Sequence, residues 1–384
     1  GLWCVLCETH GPDWRRWPAR YSHPDGSAVA RFAVEHADRV RYHQWLQWLC
    51  RLQLDAAASA TILMQDMPIG FDPAGMDAWT WQDHLARDVS IGAPPDEFNT
   101  LGQDWGLPPF VPHRLRRAGY RPFVETLRAQ MARGGALRID HVMGLFRQFW
   151  IPAGEPPTRG AYVRYPHGEL LDILALESTR ARAVVVGEDL GTVEPGVREE
   201  LAARHVLSYR LLWFEDRPPE EWPELSMALV NTHYLPPVAG LWTGADLAEQ
   251  QHFDMAPNAE STQAIRRRAA RLGGVDPDAP VDEVTERLHR RLAAAPSRLI
   301  TAALEDAAGR YGQLVPIVSR QVADTDTRFG AAHDFMREME RICGRRVIGK
   351  LADAEPSGPP KLLDALVNCP CTGNTLAKLA HGVT

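Results

Sequence analysis

Three segments of this 384-residue chain share one layout: a short apolar run that stops abruptly at charged or hydrogen-bonding residues. They contain LRIDH (137–141), AVVVGED (183–189) and ALVNTH (228–233). Short runs without polar alternation suit strands covered on both faces, and the stretches between them have helical spacing. Strands alternating with helices imply a parallel sheet, hence an α/β fold. The spacing predicts strands over 61–64, 137–140, 183–187, 209–214 and 228–232. It predicts helices over 29–57, with Phe32, Trp45 and Trp48 on apolar faces, and over 113–133, 168–181 and 194–204. Residues 245–309 read as Arg/Ala/Glu-rich helices, and 353–360 (DAEPSGPP) as a linker.

The polar ends of these runs are the candidate site. Arg138 and Asp140 are two apart, so on a strand they share a face. A carboxylate beside a guanidinium stays ionised, as a glycosidic nucleophile must. Glu188 and Asp189 close the second run, where Gly187 and Gly191 permit a tight turn. Asp140 and Glu188 would then form a carboxylate pair roughly 5–5.5 Å apart, the spacing of a retaining mechanism. Either motif alone equally suits a surface ion pair; their common position after an apolar run favours the site. In the third run, Asn231, Thr232 and His233 end the strand, and His233 is either a donor to a sugar hydroxyl or a structural histidine.

With these motifs in place, the chain resembles the 4-alpha-glucanotransferases (amylomaltases, or disproportionating enzymes) of glycoside hydrolase family 77, most closely the form found in high-GC Gram-positive bacteria. Arg138–Ile139–Asp140–His141 is similar to the family's R-I-D-H on strand 4, Glu188–Asp189–Leu190–Gly191 to E-D-L-G on strand 5, and Thr232–His233–Tyr234 to T-H-D on strand 7. MQDMPIGFDPAGMDAW (64–79) resembles the strand-3 segment, and GAPPDEFNTLGQDWGLPPF (92–110) the loop lining the sugar cleft. The likeness runs from about residue 8 to about residue 245.

The resemblance implies a (β/α)8 TIM barrel with helical insertions, and assigns roles residue by residue. Asp140 is the nucleophile, Glu188 the general acid/base, and Arg138 the group that orients Asp140. His141 and His233 donate hydrogen bonds to the sugar at the cleavage point. Asp96, Gln103 and Trp105 are acceptor-side loop residues, and Asp66 lies near the cleft. The implied reaction moves α-1,4-glucan segments between maltooligosaccharides, without metal or cofactor.

Three departures accompany it. Tyr234 stands where the family's third carboxylate is expected. The motifs of strands 1 and 2 do not occur, so the barrel is expected to be incomplete in this chain. Residues 367–384 keep Asn368, Pro370 and Thr372 of the family's terminal pattern and little else, and all three lysines (Lys350, Lys361, Lys378) fall in the last 35 residues. The expected division is a catalytic core of strands 3 to 7 over 1–244, a helical insertion and barrel-closing region over 245–352, and a divergent tail over 353–384. The departures sustain an alternative, a catalytically impaired relative or fragment that binds α-glucan or serves as a scaffold.

Composition bounds the partners. A net charge of −7 without a basic stripe argues against nucleic acid. No stretch of 18 apolar residues and no signal peptide is found, so a cytoplasmic protein without membrane contact is expected. Cys4-x-x-Cys7 and Cys369-x-Cys371 resemble two halves of a zinc site, but the gap between them is far from the usual spacing, and reduced thiols are the better reading. The 12 tryptophans offer either sugar-stacking platforms or core packing.

Overall fold

The computed structural model describes residues 1–60, 62–95, 101–232, 235–252, 259–303 and 306. These form two compact units that divide between Arg204 and His205.

In chain order the first unit contains helices α1 (Leu2–His10), α2 (Ser27–Glu35) and α3 (Ala37–Ala60), strand β1 (Met64–Met67), helix α4 (Met76–Thr80), and strands β2 (Val89–Ala93) and β3 (Gln103–Leu107). Helices α5 (Pro112–Arg117) and α6 (Arg121–Gln130), strands β4 (Gly135–Ile139), β5 (Arg147–Pro152) and β6 (Ala161–Arg164), helix α7 (His167–Ala181), strand β7 (Ala183–Gly187) and helix α8 (Val197–Ala203) follow. Strand β4 is central in a parallel set: Met64–Met67 pair with Ala136–Ile139 on one side, and Ala183–Gly187 pair with Gly135–Ile139 on the other. Leu137 and Ile139 are buried, as a strand covered on both faces requires.

Parallel neighbours need a crossover, and α7 makes the one from β4 to β7. It buries Leu170, Leu171, Leu174 and Glu177, spaced along one helical face. The carboxylate of Glu177 accepts two hydrogen bonds of 2.9 Å from Arg128 on α6, which hold it below the usual glutamate range. A buried charge paired in this way fixes α6 against α7.

The strand expected over 61–64 is displaced: β1 runs Met64–Met67, so Asp66 lies within the strand. The expected helix over 113–133 is two helices, because Gly119 and Tyr120 both adopt left-handed backbone, with φ of 60° and 58°. The expected helix over 29–57 breaks at His36, after α2. Phe32 is buried as expected, but Trp45 and Trp48 are 50% and 52% exposed and face solvent. Trp3, Trp17 and Trp79 instead pack with Tyr21 and Phe32 in an amino-terminal cluster, the Trp3 and Trp17 rings 4.9 Å apart.

A second sheet, unforeseen in the sequence, is antiparallel in the order β3-β2-β5-β6. Its register shifts between Ile91 and Gly92, where a Cβ would collide with the Gln103 carbonyl and the Ile151 side chain. Only glycine allows so close an approach. This places Gln103 and Trp105 on strand β3 rather than in a loop.

The second unit contains strands β8 (Leu207–Leu211) and β9 (Ser226–Leu229), helices α9 (Val238–Thr243), α10 (Ala245–His252), α11 (Ala259–Gly273) and α12 (Val281–Leu292), and strand β10 (Leu299–Ile300). Strand β9 pairs in parallel with both β8 and β10. The stretch expected to be helical over 245–309 thus includes a strand at Leu299–Ile300. Helix α12 buries Val284, Leu288 and Leu292 at intervals of four, with Asp282 and Glu283 in its first turn and Arg290 and Arg291 in its last, which complements the helix dipole. Among the described residues, no helix is long and apolar enough to cross a membrane.

Candidate active site

The site in the first unit is built at the carboxyl ends of β1, β4 and β7. Register is its first determinant. Asp66 pairs opposite Arg138, and Ile139 opposite Gly187, so the next residues, Asp140 and Glu188, leave adjacent strand ends. Backbone bonds continue the ladder past the strands: the Asp140 amide donates to the Met67 carbonyl and the Glu188 amide to the Ile139 carbonyl, each at 2.9 Å.

Arg138 is 5% exposed and divides its guanidinium between two acids. Nη1 donates to Asp66 Oδ1 at 2.6 Å and Nη2 to Asp140 Oδ1 at 2.9 Å. The expectation that Arg138 orients Asp140 rested on their spacing; the bridge to Asp66 follows from the β1–β4 register, which sequence spacing did not reveal. Removing one partner of a buried charge group leaves the others uncompensated. Arg138→Met is therefore expected to lower stability by about 3 kcal/mol, read from urea denaturation, and Arg138→Lys to recover only part of it because an ammonium lacks the fork. A loss below ~1 kcal/mol for Arg138→Met would place the bridge among weak surface pairs.

After Asp140 the chain turns sharply. His141 has φ 46°, a left-handed conformation that a non-glycine residue adopts only when its surroundings impose it. This turn aims the His141 amide at Glu188 Oε2, at 2.9 Å. The Leu190 amide donates to Glu188 Oε1 at 2.6 Å. Both carboxyl oxygens are thereby fixed. Gly187 permits this closeness, since a Cβ there would lie 3.0 Å from the Val142 side chain.

Glu188 is 9% exposed. Burial pushes its carboxyl up to about 7, helped by the nearby charge of Asp140, while the amides of Leu190 and His141 and the Arg138 charge act in the opposite sense. Loss of hydration outweighs the two amide bonds. A carboxyl that keeps its proton near neutrality beside a second acid held by arginine can give up a proton while its neighbour stays ionised.

The antiparallel sheet supplies the flank. The Trp105 ring meets the His141 ring edge-on at 5.4 Å, and its Nε1 donates to Gln103 Oε1 at 2.8 Å. Burial lowers the pKa of His141, so at neutral pH its ring is an uncharged donor and acceptor. Asp66, Gln103, Trp105, Arg138, Asp140, His141 and Glu188 thus belong to one connected group. Asp96, His233 and Tyr234 lie outside the described residues.

One supporting group had no expected role. Asp189 is fully buried, and Arg198 of α8 binds it through Nε to Oδ2 at 2.7 Å and through Nη2 to its carbonyl at 3.2 Å. This clamp anchors the residue next to Glu188. The Glu-Asp pair hinted at it in the sequence, but nothing there linked it to an arginine nine residues on. Among the described residues, no group of three or more His, Cys, Asp or Glu is placed to hold a metal.

The sequence profile of glycoside hydrolase family 77, described as 4-alpha-glucanotransferase, matches residues 1–322. The 4-alpha-glucanotransferases of Mycobacterium tuberculosis and Mycobacterium bovis are 47% identical over 337 residues, covering 80% of this chain and 46% of theirs. That of Haemophilus influenzae is 37% identical over 246 residues, covering 61% of this chain and 35% of its own. The chain spans about half the length of the curated relatives it matches. The crystal structure of amylomaltase from Corynebacterium glutamicum superposes with a TM-score of 0.67 at 35% identity, over 85% of this chain and 48% of that one. The amylomaltase from Streptococcus agalactiae, solved in complex with acarbose, superposes with a TM-score of 0.68 over 90% of this chain and 72% of that one; at 17% identity it speaks for the fold alone. With the profile matching most of its length and the Arg-Ile-Asp-His and Glu-Asp-Leu-Gly strand ends forming one site, the chain belongs to the 4-alpha-glucanotransferases of glycoside hydrolase family 77.

Proposed function

We propose that this chain carries the catalytic machinery of a 4-alpha-glucanotransferase, which moves α-1,4-glucan segments between maltooligosaccharides by retaining double displacement. The observation that carries the reading is Glu188, buried with a raised pKa and locked by two amides, beside Asp140 in the grip of Arg138. Glu188 protonates the departing glycosidic oxygen while Asp140 attacks the anomeric carbon, giving a glycosyl ester. Glu188 then takes a proton from the 4-hydroxyl of an acceptor glucan, which displaces Asp140 and restores the α configuration. Trp105 offers a flat apolar face to an acceptor pyranose, with Gln103 fixing the ring, and Asp96 is assigned to the same acceptor side. His141 and His233 serve the sugar at the cleavage point, and Asp66 holds Arg138. The parallel strands and crossover helices support a (β/α)8-barrel fold. The free thiols of Cys4, Cys7 and Cys50 suit a cytoplasmic enzyme.

Incubation with maltotriose tests this directly. Glucose and longer maltooligosaccharides should accumulate together, with retained anomeric configuration; glucose and maltose alone, as from hydrolysis, would count against transfer.

The same assay probes Tyr234, which stands where the family pattern has an Asp. A carboxylate there accepts hydrogen bonds from sugar hydroxyls that tighten as the ring flattens, whereas a phenol is neutral and bulkier. Tyr234→Asp is expected to raise the initial rate on maltotriose by at least ~10²-fold. Equal rates for the two proteins would show that this contact does not limit turnover.

A further inference from the structure

Glu188 leaves a parallel strand, whereas Trp105 stands on the antiparallel sheet, and one side chain ties the two together. Glu194 lies in the connection from β7 to α8. Its Oε1 accepts from Arg147 Nη1 of β5 at 3.0 Å and from Arg164 Nη2 of β6 at 3.2 Å. We infer that Glu194 is a positioning residue: it latches the connection that follows Glu188 onto the antiparallel sheet, and so sets the acid/base against the Trp105 face where an acceptor glucan rests. The inference rests on the transfer reading above.

Sheet register explains why an acid is needed at this point. Arg147 and Arg164 are direct partners across β5 and β6, where like charges repel. A carboxylate between them turns the repulsion into two ion pairs. The guanidinium of Arg147 also lies over the Tyr162 ring, 3.8 Å from the centroid, and Tyr162 meets Phe149 edge-on at 5.1 Å. The cation is thus fixed by the sheet. Arg147 and Glu194 are both half-buried, so their pair is screened less than one at the surface. Arg147 opens β5 just after the turn that follows His141, close enough for its charge to disfavour the imidazolium.

The connection itself has two soft points. Gly191 and Gly196 bracket residues 192–195 with φ of 86° and 90°, and a Cβ at either would meet nothing. Glycine leaves that conformation without steric cost, so these points do not stiffen the segment. The Asp189–Arg198 clamp ties the connection to its own helix, α8, whereas Glu194 ties it to the sheet. In the second step Glu188 takes the proton of the hydroxyl that displaces Asp140. A glucan hydroxyl arrives on a ring held at Trp105, so the spacing from Glu188 to the sheet governs it; a water molecule needs no such platform. Loosening the latch should therefore slow transfer and spare hydrolysis.

The variant E194Q keeps the shape and loses the charge, and two measurements on it test the latch. Without substrate, hydrogen exchange of the amides over 190–196 should quicken at least ~10-fold, while β4 and α7 stay protected. With α-maltosyl fluoride as donor and glucose as acceptor, the initial ratio of maltose, from hydrolysis, to maltotriose, from transfer, should rise at least ~10-fold. R164Q/E194Q controls for the sheet. Removing one of the opposed cations should return the melting temperature toward that of the unaltered protein and leave the ratio high. Unchanged exchange over 190–196 in E194Q overturns the latch, as does a ratio that returns to its original value together with the melting temperature in the double variant. An unaltered protein that makes maltose alone, or neither product, counts against the transfer reading itself, and exchange still decides the latch.

Discussion

Replacing Asp140 with Asn is expected to lower glucan transfer by ~10⁴-fold or more, with the fold intact. The exchange is nearly isosteric, and the amide oxygen still accepts the Arg138 Nη2 bond that Asp140 Oδ1 accepts at 2.9 Å. The backbone bond from residue 140 to the Met67 carbonyl does not involve the side chain. What disappears is the proposed nucleophile, since a neutral amide oxygen does not form a stable glycosyl ester. Two measurements separate loss of chemistry from loss of structure. Melting temperature should change little, because Arg138 keeps Asp66 as a charged partner. Mass spectrometry after exposure to an α-maltosyl fluoride donor should show a glycosyl adduct on the unaltered protein and none on Asp140→Asn. An adduct of equal yield on the variant would move the nucleophile to another residue.

The parts of the site lying within single motifs were legible in the sequence, and those depending on register were not. An apolar run ending at Asp140, and another ending at Glu188, announced two buried strands, because such strands leave no room for alternation. β7 occupies the expected 183–187. The two-residue spacing of Arg138 and Asp140 likewise announced their bond. Asp66 was expected near the cleft, but its bond to Arg138 depends on how β1 slides against β4, and no local pattern encodes that. The antiparallel sheet carrying Trp105 was hidden because its strands are short, lack clean alternation, and contain Gly92 and Gly106 among turn-like neighbours. Trp45 and Trp48 misled for the opposite reason. Apolar residues at helical spacing signal a buried face, yet the break at His36 resets α3, and these rings end in solvent.

Glu188→Gln should reduce transfer between maltooligosaccharides by roughly 10²–10⁴-fold, and the loss should depend on the leaving group. A natural glucan departs only when its oxygen is protonated, so the first step suffers fully. An aryl or fluoride leaving group needs no proton; the variant should form the Asp140 adduct quickly with such a donor and then stall, because no base activates the acceptor hydroxyl. Azide, which needs no base, should release the stalled sugar as the α-glycosyl azide. The pH profile carries the same signature. Burial raises the Glu188 carboxyl to about 7 by disfavouring its anion, so the acid form persists to neutrality. On natural glucans kcat/KM should therefore fall about tenfold per pH unit above that value. With a fluoride donor, adduct formation by Glu188→Gln should lose this limb. Stability follows the same sign: a group whose folded pKa is raised favours folding fully below its ordinary value and loses that contribution as pH rises through about 7. An alkaline limb that survives in Glu188→Gln with the fluoride donor would assign the titration to another group and remove Glu188 from the role of acid.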